Sequence, residues 1–143
     1  MVIIRDVMTE NVIQVHPKEP VPVAARLLSH YNVGALPVCG ENGVCGMVTD
    51  RDIALRCVAA GRNPEGMRVE EIMTTRVVTA GPELTVQAAA ELMAREQVCR
   101  LPVQENGRLC GMISLGDVAC RSEYAVEATE ALAEISSNIS RRS

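Results

Sequence analysis

Gly46-Met47-Val48-Thr49-Asp50-Arg51-Asp52 returns as Gly111-Met112-Ile113-Ser114-Leu115-Gly116-Asp117. Each copy reads as an apolar strand that closes on a hydroxyl residue. An Asp follows three positions later, and then helix-forming sequence. Working outward from this pair, residues 8–56 lie on 73–121 without a gap, and 18 of 49 positions are identical. Chance would leave only a few. The chain is a tandem repeat, and that fact orders every other reading of it.

Each copy carries the same run of signals. Arg5-Asp6-Val7-Met8-Thr9 is a short helical lead-in, and Val12-Ile13-Gln14-Val15 alternates like a strand that His16-Pro17 ends. Val21, Ala24, Ala25 and Leu28 recur at helical spacing after Pro20 and Pro22, and Asn32 and Gly34 stop the helix. Ala35-Leu36-Pro37-Val38-Cys39 predicts a strand, Glu41-Asn42-Gly43 a hairpin, and Val44 to Val48 the returning strand. A second helix is expected from Thr49 to Ala60, with Gly61 at its end. The unit is β-α-β-β-α. In the second copy Val77-Val78-Thr79-Ala80 supplies the strand, and Val86, Ala89, Ala90 and Met93 keep the helical stripe. The expected division is 1–62, 63–123 and a tail, 124–143. Tyr124, Ala128, Ala131, Leu132, Ile135 and Ile139 give that tail an apolar face, which should rest on its own repeats or on a sister subunit, with another protein as the alternative.

Composition narrows the function. The chain has 143 residues, and one copy alone buries little core, so the copies should pack together. A hydrophobic content of 48% excludes a disordered chain, and with no Trp or Phe the core must be aliphatic. A net charge of −4, no basic stripe and no aromatic platform argue against nucleic acid. No apolar run approaches a membrane span, and the first residues lack a signal-peptide pattern, so a cytoplasmic location is expected. Six cysteines then read as free thiols; Cys39 and Cys45, near each other across a hairpin, leave a redox bond or half a metal site open.

At this point the signatures add up to a resemblance. Val33-Gly34-Ala35-Leu36-Pro37-Val38 before a hairpin, and Gly-x-[Val/Ile]-[Thr/Ser]-x-x-Asp after it, occur in order and twice. Over about residues 5–123 the chain resembles a tandem pair of cystathionine β-synthase (CBS) domains, a Bateman module. It is similar to the pair in IMP dehydrogenase and to short stand-alone bacterial CBS proteins. The resemblance implies an α/β (α+β) fold, two β-α-β-β-α repeats packed about a pseudo-two-fold axis. It implies a regulatory ligand-binding module and not a catalyst. Its clefts would hold AMP, ADP, ATP or S-adenosylmethionine, two pairs would form a homodimer, and the signal would pass to a regulated protein that the sequence does not name.

The residues offer matching chemistry. Thr49 and Ser114 stand at strand ends where helices begin, a place suited to a phosphate oxygen, and Asp52 and Asp117 can accept from ribose hydroxyls. Ile13, Val15, Val78 and Ala80 would line a flat base. The resemblance implies that Arg100, whose counterpart in copy one is Ala35, points a basic group at phosphate; Arg51 would add positive charge to the first cleft, and Gly116 replaces it in copy two. Asp50 opposes a phosphate in the first cleft only, which favours the second. A bland reading stands beside this: Thr49-x-x-Asp52 and Ser114-x-x-Asp117 are capping-box patterns that stabilise helices with no ligand present. His16, at a strand end, is expected on the surface, with the first cleft as its other place, and His30 complements a helix end. No catalytic triad or P-loop is visible, and Lys18 is the sole lysine.

Overall fold

Val21, Ala24 and Leu28 are all buried on one side of helix α2 (Val21–Tyr31), as their spacing dictates. The second copy repeats this in α4 (Val86–Glu96), where Val86, Ala89, Ala90 and Met93 are buried and Thr85 caps the helix through its hydroxyl. Asn32 and Gln97 end these helices in the left-handed conformation, at φ 52° and 61°. This computed structural model describes residues 1–120 and 125–142.

Each copy then forms an antiparallel hairpin: β1 (Ala35–Gly40) with β2 (Gly43–Thr49), and β3 (Arg100–Glu105) with β4 (Arg108–Ser114). Asn106 and Gly107 both take positive φ, the pairing that a tight two-residue hairpin turn needs. After the first hairpin comes α3 (Asp50–Ile53), which widens into a π-helical turn at Ala54–Val58 rather than continuing as α-helix. The second hairpin leads into α5 (Leu115–Ala119). Before the first hairpin lies the lead-in helix α1 (Ile4–Val7), and the chain ends in α6 (Ala125–Arg142).

The expected first strand of each copy is reduced to one residue. Val15 makes a parallel bridge to Val38, and Ala80 makes one to Val103. The alternation in Val12–Val15 and Val77–Ala80 is genuine, but each segment meets the hairpin edge at a single point.

Two compact units result, and they are not the sequence copies. One comprises Ile13–Val77 with Gly107–Leu109; the other comprises Met1–Val12, Val78–Asn106 and the described residues of Cys110–Ser143. The lead-in of copy one therefore joins the core of copy two. Ile4 is fully buried among Val86, Met93, Leu101 and Ile113. The lead-in of copy two does the converse, burying Val69 and Ile72 among Val21, Leu36 and Val48. Thr9 exchanges two backbone hydrogen bonds with Met112, and Thr74 does the same with Met47.

Glycine makes this docking possible. A Cβ on Gly46 would lie 2.6 Å from Met73 Sδ and 2.9 Å from the Thr74 carbonyl oxygen. A Cβ on Gly111 would collide with Met8 Sδ and lie 3.0 Å from the Thr9 carbonyl oxygen. A strand glycine where another backbone passes closely is the expected solution.

The tail rests on its own unit. Ala128, Ala131 and Ile135 are buried in the same core as α4 and α5. Leu132 corrects the expected stripe, being 50% exposed, because it lies one residue past Ala131 and off the line of 128, 131 and 135. Tyr124 and the Ile139 side chain lie outside the described residues.

Replacing Gly46 by Ala should lower unfolding free energy in urea by about 1–3 kcal/mol, the usual cost of overpacking. Gly81→Ala, whose Cβ meets nothing within 4 Å, is the matched control and should change stability little.

Candidate functional site

Both hydroxyl–acid pairs form complete capping boxes. Asp52 N–H donates to Thr49 Oγ1 at 2.9 Å, and Thr49 N–H donates to Asp52 Oδ2 at 3.0 Å. In the second copy Asp117 N–H donates to Ser114 Oγ at 3.1 Å, and Ser114 N–H donates to Asp117 Oδ2 at 2.9 Å. The bland reading of these residues is thus correct as geometry. It does not exhaust them, because a hydroxyl also has one proton to donate and a carboxylate has about four acceptor positions.

The two acids differ in their surroundings. Asp52 is 7% exposed and is the only buried charged residue among those described. The Thr74 hydroxyl donates to its carboxylate, at 3.2 Å from Oδ1 and 3.3 Å from Oδ2. Arg56 Nε lies 3.8 Å from Oδ1, while Arg56 Nη1 donates to the carbonyls of Ile72 at 3.3 Å and Met73 at 3.0 Å. A buried carboxylate needs this kind of compensation. Asp52 therefore holds the docked lead-in of copy two as well as its own helix start. Asp117 and Ser114 are half-buried.

Arg100 opens β3 and is exposed. Leu115 N–H donates to the Cys99 carbonyl at 2.9 Å, which sets the start of β3 beside the Ser114 box. Arg51 is exposed, and Asp50 turns onto its own helix, its Oδ1 accepting from Arg51 N–H at 2.8 Å. Val15 and Ala80 lie in the two cores, and Ile13 and Val78 pack half-buried at their edges. His16 is on the surface, its Nδ1 accepting from Lys18 N–H. His30 is exposed and stacks edge-on against Tyr31. The structure thus gathers Thr49 and Asp52 in one unit and Ser114, Asp117 and Arg100 in the other.

The sequence reading passed over Thr74 and Arg56. The repeat carried a signal for both: Met8-Thr9 equals Met73-Thr74, and Arg56 equals Arg121. Arg121 lies outside the described residues.

All six cysteines are free thiols. Burial first, and the neighbouring Cys45 second, push the Cys39 thiol up to about 11. Burial chiefly raises Cys110 as well. Among the described residues no three His, Cys, Asp or Glu side chains are grouped to hold a metal ion, and no helix is long and apolar enough to cross a membrane.

The chain is similar to known proteins along most of its length. The CBS domain family model matches residues 4–58 and 69–122. The CBS domain-containing protein YhcV of Bacillus subtilis is 40% identical over 93% of this chain and 94% of its own. Hypoxic response protein 1 of Mycobacterium tuberculosis is 33% identical over 80% of this chain and 81% of its own. A crystal structure of Hypoxic Response Protein I with two coordinated zinc ions superposes with a TM-score of 0.76 at 32% identity, covering 83% of this chain and 98% of that one. The CBS domain pair of MJ0100, crystallised with 5′-methylthioadenosine and S-adenosyl-L-methionine, gives 0.73 at 26% identity, covering 84% and 94%.

Thr74→Val keeps the side-chain shape and removes the hydroxyl that Asp52 accepts. It should cost about 1.5–3 kcal/mol in urea unfolding, the range for hydrogen bonds to charged groups. Thr74→Ser should restore most of that loss.

Proposed function

The chain belongs to the CBS domain family, whose pairs are regulatory modules, and from that premise we propose that it senses an adenosyl ligand at the Ser114–Asp117 box. The ligand class is AMP, ADP, ATP or S-adenosylmethionine. Ser114 would donate to a phosphate or to the polar end of an adenosyl sulfonium. Asp117 would accept from the ribose hydroxyls, Arg100 would neutralise phosphate, and Val78 and Ala80 would flank the base. The role is non-catalytic: the bound state is passed to a partner protein.

One observation carries this choice of site. The Asp52 carboxylate is buried and committed to Thr74 and Arg56, whereas the Asp117 box is half-buried with an exposed Arg at the adjoining strand start. A ligand at Asp52 must first displace a hydrogen bond that holds the fold. A ligand at Asp117 meets a box in which capping uses one acceptor position of each side chain. The adenosyl ligands of the MJ0100 pair support the ligand class.

Calorimetric titration of the full chain with AMP, ATP and S-adenosylmethionine tests the reading. At least one should bind, and saturating ligand should raise Tm in proportion to the logarithm of its concentration over Kd. Asp117→Asn should weaken that binding at least tenfold, and Asp52→Asn should not. No heat from any of the three would refute the ligand class.

A second reading rests on the exposed apolar side chains of the first unit. Leu55 and Val58, three residues apart, are 50% and 65% exposed, and Tyr31 and Val33 are exposed as well. We assign these side chains to a contact with a second copy of the chain, a homodimer. Leu55→Glu with Val58→Glu should halve the mass found by sedimentation while leaving the thermal transition in place. An unchanged mass would remove this surface from the interface.

A further inference from the structure

The two docked lead-ins use the same contacts. Ile4 N–H donates to Leu84 O at 2.8 Å and Arg5 N–H to Pro82 O at 3.0 Å; Val69 N–H donates to Glu19 O at 2.8 Å and Glu70 N–H to Pro17 O at 3.0 Å. These are repeat-equivalent positions throughout. Asp6 accepts from Ile3 N–H, and Glu71 accepts from Arg68 N–H. Ile4 and Val69 enter the cores, Met8 covers Gly111, and Met73 covers Gly46. The backbone contacts therefore give either lead-in little reason to prefer one copy over the other.

Charge separates them. Across Ile4–Thr9 and Val69–Thr74 only one position changes sign, Arg5 against Glu70. The side chains that receive it change sign too. Arg5 Nη2 pairs with Glu83 at 2.8 Å and with Glu105, and these two acids hold the guanidinium firmly protonated. Glu70 Oε1 pairs with Lys18 of the groove at 3.1 Å, and Arg68 of its own lead-in lies 4.0 Å away. Lys18 and Glu83 are repeat equivalents, and Lys18 is the only lysine in the chain. On its own copy, Arg5 would face Lys18, and Glu70 would face Glu83 and Glu105.

We propose that these rim charges are a pairing code that admits each lead-in to the other copy's groove and rejects it from its own. The groove at Glu83 and Glu105 takes a basic lead-in, and the groove at Lys18 takes an acidic one. Each correct pairing replaces a repulsion with an attraction, so the discrimination exceeds the worth of either ion pair alone.

Amide hydrogen exchange on the full chain tests the code at its reciprocal hydrogen bonds. Glu70→Lys should speed exchange at Met47 and Thr74 several-fold in low salt and leave Thr9 and Met112 unchanged. Lys18→Glu with Glu70→Lys should restore the protection. At about 0.5 M salt, where the Debye length is roughly 4 Å, the difference should shrink. In Arg5→Glu with Glu70→Lys, both lead-ins match their own copies. Nuclear Overhauser contacts from the Met8 methyl to Gly46 should then appear beside those to Gly111. All these side chains stand at the surface, so the variants should fold. Equal exchange in Glu70→Lys and the parent, no rescue by the second change, or Met8 contacts confined to Gly111 in the doubly inverted chain would each overturn the code.

Discussion

Everything in this fold depends on two places where a backbone passes over a glycine. At Gly46 and Gly111 there is no room for a Cβ, because a Met-Thr segment from the other copy lies against the strand. That contact turns a two-stranded hairpin into a wider sheet. The hairpin gains Thr74 or Thr9 on one edge and Val15 or Ala80 on the other. A lone hairpin is marginal in water, and a copy of about 60 residues has a thin core. Exchange of lead-ins completes each core with apolar side chains that the other copy supplies, Ile4 in one and Val69 and Ile72 in the other. Neither sequence copy coincides with a compact unit.

The same exchange reaches the candidate sites. Thr74 arrives at Asp52 only because the lead-in of copy two is docked there. The acid that caps α3 thus also anchors a segment from far along the chain, and Arg56 reinforces it by holding the carbonyls of Ile72 and Met73. The Asp52 carboxylate is thereby committed to structure, whereas the Ser114–Asp117 box is half-buried.

How much of this was readable depended on the distance over which each signal acts. The helical stripes at Val21–Leu28 and Val86–Met93 are local, and so are the capping boxes; all are found where their spacing placed them. The first strands were overread because four alternating residues show a face but not how many pair. The π-helical turn after Ile53 left no mark in the pattern of apolar residues. Leu132 was placed inward because a heptad-like stripe does not say how wide the receiving groove is. The exchange itself was hidden. Met8-Thr9 and Met73-Thr74 are identical, so nothing in either segment alone names its groove.

That ambiguity explains why weak interactions matter here. An exposed ion pair contributes little to stability, since water screens it and two long side chains lose freedom to form it. Selection between two nearly equivalent grooves is a different quantity. The backbone hydrogen bonds are the same on both sides and cancel in the difference, while the rim charges reverse sign and do not. Met over Gly sets how tightly a lead-in docks, and Arg5 and Glu70 decide where. A repeat protein whose copies had kept identical rims would lose this means of choosing among its alternative pairings. Divergence at Arg5 and Glu70, matched by Lys18 in one groove and by Glu83 and Glu105 in the other, removes that degeneracy without disturbing the core.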